Sequence, residues 1–114
     1  MSQMESSTPI HEWVEALKPG DLIRVSYGSS THYMGAFKQR KTNANGWIVQ
    51  YWDLPHAFTK ESKGAWIKRL EEDGKPLRMS YIYGYSVKDR IHPVKEWMLT
   101  SYQKKYYKKL LKYL

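Results

Sequence analysis

The chain has no cysteine among its 114 residues. That absence excludes disulfides, thiolate zinc sites and a cysteine nucleophile together, and it suits a reducing compartment. No apolar run approaches the roughly 18 residues that a membrane-crossing helix needs. The opening, MSQMESSTPIHEW, lacks the basic start and apolar centre of a secretory leader, so the sequence predicts a cytoplasmic protein. Catalytic signatures are missing too. His11, His32, His56 and His92 stand far apart, in no H-x-x-H or H-E-x-x-H spacing, and no Gly-rich phosphate loop is present. Asp53 and His56 lie close in sequence but have no nucleophile beside them. The expectation is a non-catalytic protein with no metal and no cofactor.

What the chain has in quantity is positive charge and aromatic rings. Net charge is +8, with ten tyrosines and five tryptophans. The charge is uneven: net −3 over residues 1–21, +6 over 22–93 and +5 over 94–114. The acidic opening reads as a structural cap, and the charge that seeks a partner lies further on. Basic balance favours polyanions, nucleic acid first, then an acidic protein or membrane. With 41% hydrophobic and 26% charged residues, the chain is expected to fold as one domain over 1–114.

Residues 1–7 read as a flexible lead-in. Thr8 and Pro9 suit the N-cap and first position of a helix over 8–18, with Ile10, Trp13, Val14 and Leu17 on one face. Pro19-Gly20-Asp21 is a turn, because proline presets φ and the following glycine accepts a positive one. Leu22–Tyr27, Thr31–Arg40 and Gly46–Asp53 read as strands, the last two joined through Asn45-Gly46, a hairpin signal. On the third strand, Trp47, Val49 and Tyr51 alternate with Ile48, Gln50 and Trp52. One of these faces is expected over the core and the other partly open. Residues 54–64 read as irregular. Residues 65–71 fit a strand or a helix, and Asp73-Gly74 tips the reading towards another hairpin, followed by a strand over 78–87. A helix is expected over 93–114, with capping-box spacing from Thr100 to Gln103 marking a fresh start within it.

The residues of the opening strand pair resemble the KOW motif, a segment of SH3-like barrels in ribosomal and transcription-elongation proteins. The matching residues are Gly20-Asp21, the alternation Ile23/Arg24/Val25, Gly28, and Gly35 followed by Phe37. His32 stands where the motif has a further glycine, and Phe37 where it prefers a β-branched residue. The resemblance covers about 20 residues. It implies an SH3-like β-barrel over residues 21–92 and binding of nucleic acid or nucleoprotein without catalysis. The expected class is therefore mainly β (α+β), a barrel with a short N-terminal helix and a basic amphipathic C-terminal helix.

At 100° per residue, Lys104, Lys105, Lys108, Lys109 and Lys112 fall within an arc of about 140°. Tyr102, Tyr106, Leu110, Tyr113 and Leu114 fill the opposite arc, with Tyr107 and Leu111 at its edge. Such a lysine face either neutralises phosphates or is simply solvated. A membrane-surface helix is a third reading, disfavoured by tyrosine in place of Phe or Trp on the apolar arc. Lys38, Arg40 and Lys41 form a basic hairpin tip beside Trp47 and Trp52, and with Tyr83 these rings are candidates for stacking or for an interface. The tyrosines at 81, 83 and 85, with Trp47, Trp52 and Trp66, suit core packing better than a cage for a cationic ligand. The predicted function is binding of nucleic acid, duplex DNA ahead of RNA, with low sequence specificity. The profile suits a phage or mobile-element modulator of host DNA or transcription, nucleoid-associated if it binds DNA. The alternative is an interaction module or inhibitor docking on an acidic host protein.

Overall fold

The turn at residues 18–21 sets the direction of everything that follows. Asp21 N–H donates to the Lys18 carbonyl at 2.9 Å, and Gly20 takes φ +99°, a value that side chains with a Cβ avoid. The Asp21 carboxylate accepts from Lys18 N–H at 2.9 Å. Gly20 N–H donates to the Phe37 carbonyl at 2.9 Å, and Phe37 N–H to the Asp21 carbonyl at 2.7 Å, so the turn is tied to the second strand. A computed structural model describes residues 12–27, 31–43, 46–55, 63–84 and 90–114.

Five strands follow: β1 (Leu22–Tyr27), β2 (Thr31–Asn43), β3 (Gly46–Asp53), β4 (Met79–Gly84) and β5 (Ile91–Pro93). They form one antiparallel sheet in the order β4-β3-β2-β1-β5. The helices are α1 (Glu12–Glu15), α2 (Lys63–Asp73) and α3 (Ser101–Leu110), with single 3₁₀ turns at Glu96–Met98 and Leu111–Tyr113 on either side of α3. Among the described residues no helix is long and apolar enough to cross a membrane.

The sheet carries a separate apolar cluster on each face. Because side chains alternate along a strand, Ile23, Val25, Phe37, Val49, Tyr51, Ile82 and Ile91 meet on face one, where Val14 and Leu17 from α1 and the residues after it close over them. Leu22, Met34, Ala36 and Trp52 point to face two, under Trp66, Ile67 and Leu70 of α2 and Tyr106, Tyr107 and Leu110 of α3. The expected class is met at the level of an α+β domain with a five-stranded antiparallel sheet. Among the described residues β4 and β5 are the two edges of that sheet and do not pair with each other, so it does not close into a barrel there. The strand-three rings divide accordingly: Trp47 packs on face one and Trp52 on face two.

Two close fits pin the register. A Cβ on Gly35 would lie 2.3 Å from Cδ2 of the buried Tyr51, so glycine lets the ring lie flat on β2. Between Phe37 and Gln39 the pairing slips by one residue, leaving Lys38 as the extra residue of a bulge. β2 and β3 do pair as a hairpin, with Asn43 opposite Gly46, and β2 runs three residues beyond Arg40; Asn45 of the Asn-Gly signal lies outside the described residues.

Residues 65–71 are helical, not part of a hairpin. Gly74 has φ +67° and its N–H donates to the Leu70 carbonyl at 3.0 Å. Asp73-Gly74 is thus a left-handed helix cap, and the same dipeptide chemistry serves a hairpin turn elsewhere. The first helix is described only from Glu12 and ends at Glu15, before the expected Lys18; Thr8, Pro9, Ile10 and His11 lie outside the described residues. In the C-terminal region Thr100 Oγ1 accepts from Gln103 N–H at 3.2 Å, and Gln103 Oε1 accepts from Thr100 N–H at 3.0 Å, the reciprocal cap that their spacing predicts. The β5 strand inside this region was not foreseen; three residues are too few for an alternation to register.

Candidate nucleic-acid interface

The buried face of α3 decides which lysines face water. Gln103, Tyr106, Tyr107 and Leu110 are buried, at i, i+3, i+4 and i+7. Gln103 takes the place expected for Tyr102, because its amide is satisfied: Nε2 donates to the Pro55 carbonyl at 2.9 Å, so burial costs it little. Tyr106 meets Trp66 edge-on, with centroids 5.5 Å apart. Tyr107 donates its hydroxyl to the Gly20 carbonyl at 2.6 Å, tying α3 to the opening turn. Burial, with the charges of Asp21 and Glu96 nearby, pushes its phenol above the usual tyrosine range. Leu111, Tyr113 and Leu114, expected on the buried arc, are at least one-third exposed.

With that face inward, Lys105, Lys108 and Lys112 are exposed and Lys104 and Lys109 half-buried. Lys109 Nζ lies 3.3 Å from Glu71 Oε2 on α2, so one of the five is held by an acidic neighbour. Of the two further acidic side chains at the end of α2, Asp73 is engaged too, its Oδ2 3.6 Å from Arg69 Nε, and Glu72 is exposed. These surface pairs contribute little stability, but they leave the outer side of α3 positive.

The expected hairpin tip divides between the two faces. All three cations sit within β2, ahead of the loop at residues 44–45, which lies outside the described residues. Arg40 stands opposite Val49, on face one, and its Nη1 donates to the carbonyls of Val14 at 3.2 Å and Leu17 at 3.0 Å. Its guanidinium also lies over the Phe37 ring, 5.3 Å from the centroid. Arg40 therefore caps the end of α1, sharing the Val14 carbonyl with Leu17 N–H and adding a partner to the Leu17 carbonyl just beyond the helix. Lys38 turns to face two, with Nζ 5.8 Å from the centroid of Trp52. Lys41 pairs with Ile48, is exposed, and has face-two parity. Lys38 and Lys41 thus share a sheet face with α3, and Arg40 does not. Tyr83 lies opposite Ile48; its side chain lies outside the described residues. Since Trp47 and Trp52 are on opposite faces, they do not converge on a cage.

Arg78, a candidate extension of the basic field, has partners that the sequence does not announce. Its side chain is 67% exposed and Nε lies 3.3 Å from Asp53 Oδ2, while its guanidinium lies over Trp66 at 5.9 Å. Asp53 also accepts from the Ser80 hydroxyl at 2.9 Å. Burial raises its carboxyl above the ordinary value of 3.8, and the Ser80 hydrogen bond and Arg78 pull it back. No sequence signal joins these residues, because the pairing of β3 with β4 spans α2. Among the described residues no three His, Asp or Glu side chains gather where they could hold a metal ion. A shallow groove lined by Trp13, Leu17, Leu22, Val94 and Tyr107, with Asp21 and Glu96 at its rim, brings carboxylates beside apolar walls and holds no Ser, Thr or Cys nucleophile. Comparison with known proteins finds no matching family, no matching curated sequence and no matching solved structure.

Proposed function

We propose that this is a non-catalytic nucleic-acid-binding protein that neutralises phosphates with the outer face of α3. The observation that carries the reading is the segregation of that helix: four buried side chains on one side, and Lys104, Lys105 and Lys108 on the other, continued by Lys112 in the 3₁₀ turn that follows, with no acidic residue over residues 101–114. Lysines one turn apart repeat about every 6 Å, which suits the regular phosphates of a duplex and reads no base. Duplex DNA with low sequence specificity is the expected ligand, in keeping with a role in modulating DNA or transcription. The SH3-like, KOW-like reading of Gly20–Phe37 belongs to the same proposal, supported by β5 returning to pair with β1. Nuclease-treated protein is expected to bind DNA at about 50 mM salt, with affinity falling by several powers of ten per tenfold rise in salt. Absence of binding to DNA and RNA there would refute the reading.

A second reading, docking on an acidic protein, is favoured by Trp97. It is 77% exposed beside Lys95 and a 37% exposed Met98, and exposed Trp is the residue type that anchors interfaces. Trp97→Ala is then expected to abolish capture of a protein from nuclease-treated lysate. Unchanged capture would remove this second reading.

A further inference from the structure

Face two of the sheet is covered over only part of its length. On β3 its cluster includes Trp52 and Leu54, while Gln50 and Ile48, towards the β2–β3 loop, are outside it and half-buried. The register lays out this part in rows. Gln39, Gln50 and Tyr81 stand side by side across β2, β3 and β4, with Lys41 and Ile48 in the row towards the loop and Trp52 and Met79 in the row that borders the covered cluster. Tyr81 is 53% and Met79 42% exposed, on an edge strand. With strands about 4.8 Å apart and same-face neighbours about 7 Å apart, the surface measures roughly 10 by 14 Å. That is the area of a few stacked bases.

Its chemistry is as uneven as its coverage. Lys38, Lys41 and Arg78 are its charged groups among the described residues. Asp53, which follows Trp52 on β3 with the parity of face one, is only 15% exposed and already engaged by Arg78. Gln39 Nε2 donates to Gln50 Oε1, so each amide keeps its other polar atom for a further partner. Lys38 rests over Trp52, a cation–π contact that a phosphate can displace, which would bare a second ring next to Tyr81. Rings, amides and cations without acid on a sheet face fit unpaired bases with their backbone alongside. A duplex does not fit, since its base faces are already stacked on one another.

We propose that this open end of face two, around Tyr81 and Trp52, binds unpaired nucleotides of a single-stranded nucleic acid by base stacking. The proposal rests on the nucleic-acid reading and adds a ligand class to it. Tyr81, 53% exposed, is the main platform, and Lys38 and Lys41 take the adjacent phosphates. The α3 lysines serve paired and unpaired strands alike.

The test uses the full chain and fluorescence anisotropy with two probes at the same salt: a ten-nucleotide oligothymidylate and a ten-base-pair duplex. Tyr81→Ala is expected to weaken binding to the oligothymidylate about tenfold to a hundredfold. Duplex binding and the salt slope should stay unchanged, and Tyr81→Phe should restore single-strand binding. Equal loss for both probes, no loss for either, or failure of Tyr81→Phe to restore would overturn the proposal and leave the nucleic-acid reading standing. If the unaltered protein binds neither probe, that reading fails and takes this one with it. Thermal melts of both variants separate a lost platform from a lost fold: a rescue seen with matched melting temperatures supports stacking. A Tyr81→Ala loss that appears only with premature melting counts against it.

Discussion

The two faces of the sheet use the same kinds of residue for different ends. Face one is sealed: Val14, Ile23, Val25 and Val49 are fully buried, and its one strand cation, Arg40, is spent on the carbonyls of Val14 and Leu17. Face two is closed over one end by α2 and α3; Lys38, Lys41 and Arg78 keep access to water there, while Arg24 on β1 has its Nε buried. Arg40 and Lys41 are adjacent in sequence and belong to one run of positive charge. Strand alternation sends one to a helix end and the other to solvent. The lesson is that a basic cluster on a strand cannot be summed: its charges go to opposite faces by parity, and a bulge such as that at Lys38 resets the count.

Substitutions in the two covers give the largest effects and test whether the faces are equally structural. Ile23→Ala on face one and Leu110→Ala under α3 each remove a fully buried side chain and are expected to cost about 2–5 kcal/mol, read as a shift of the denaturation midpoint. If α3 were only a tethered basic tail, Leu110→Ala would be near neutral. Arg40→Met comes next. Losing two charge-assisted hydrogen bonds is expected to cost about 1.5–3 kcal/mol in the same unfolding measurement. Its nucleic-acid affinity at fixed salt should change far less than that of a variant lacking α3 lysines. A drop in affinity with unchanged stability would put Arg40 in the interface instead.

The smallest effect concerns Asp53. Its folded-state pKa is raised above the ordinary 3.8, so between the unfolded and folded values the folded protein holds more protons. The contribution of this group to stability is therefore greatest at low pH and declines as pH rises through the folded value. Asp53→Asn removes that decline. The stability difference between variant and parent should move in the variant's favour as pH rises through this window, as followed by denaturant unfolding. Movement the other way would mean that Arg78 and Ser80 outweigh burial.

Much of the fold was legible because its signals are local. The Pro19-Gly20-Asp21 turn and the Thr100–Gln103 cap are each decided within a few residues, and the structure uses them as their chemistry dictates; the hairpin of β2 and β3 forms where the Asn-Gly signal places it. The α2 helix was misread because Asp-Gly serves a hairpin and a helix end equally. What separates them is Leu70, Trp66 and Ile67 finding a partner in α3, which no local window contains. Whether the strands close on themselves is hidden from the sequence for a similar reason. Alternating apolar residues on both sides of β1–β3 show that both faces are covered, and do not say whether helices or further strands cover them. For the site, the outward set of α3 lysines follows from helical periodicity. The inward role of Arg40, the Lys109–Glu71 pair and the Arg78–Asp53–Ser80 group depend on long-range pairing and carry no sequence signal.

The central claim is that charge on α3 is presented to a polyanion while charge at Arg40 holds the fold together. It is tested most directly by the slope of log affinity for duplex DNA against log salt. The slope is to be measured side by side for the parent, the Lys104/Lys105/Lys108/Lys112→Gln variant and Arg40→Met. The expected result is a slope flattened by about 3–4 units in the lysine variant, with thermal stability retained, and a parental slope in Arg40→Met. Equal slopes for the parent and the lysine variant would contradict it, and the lysine face would then be a solvated surface.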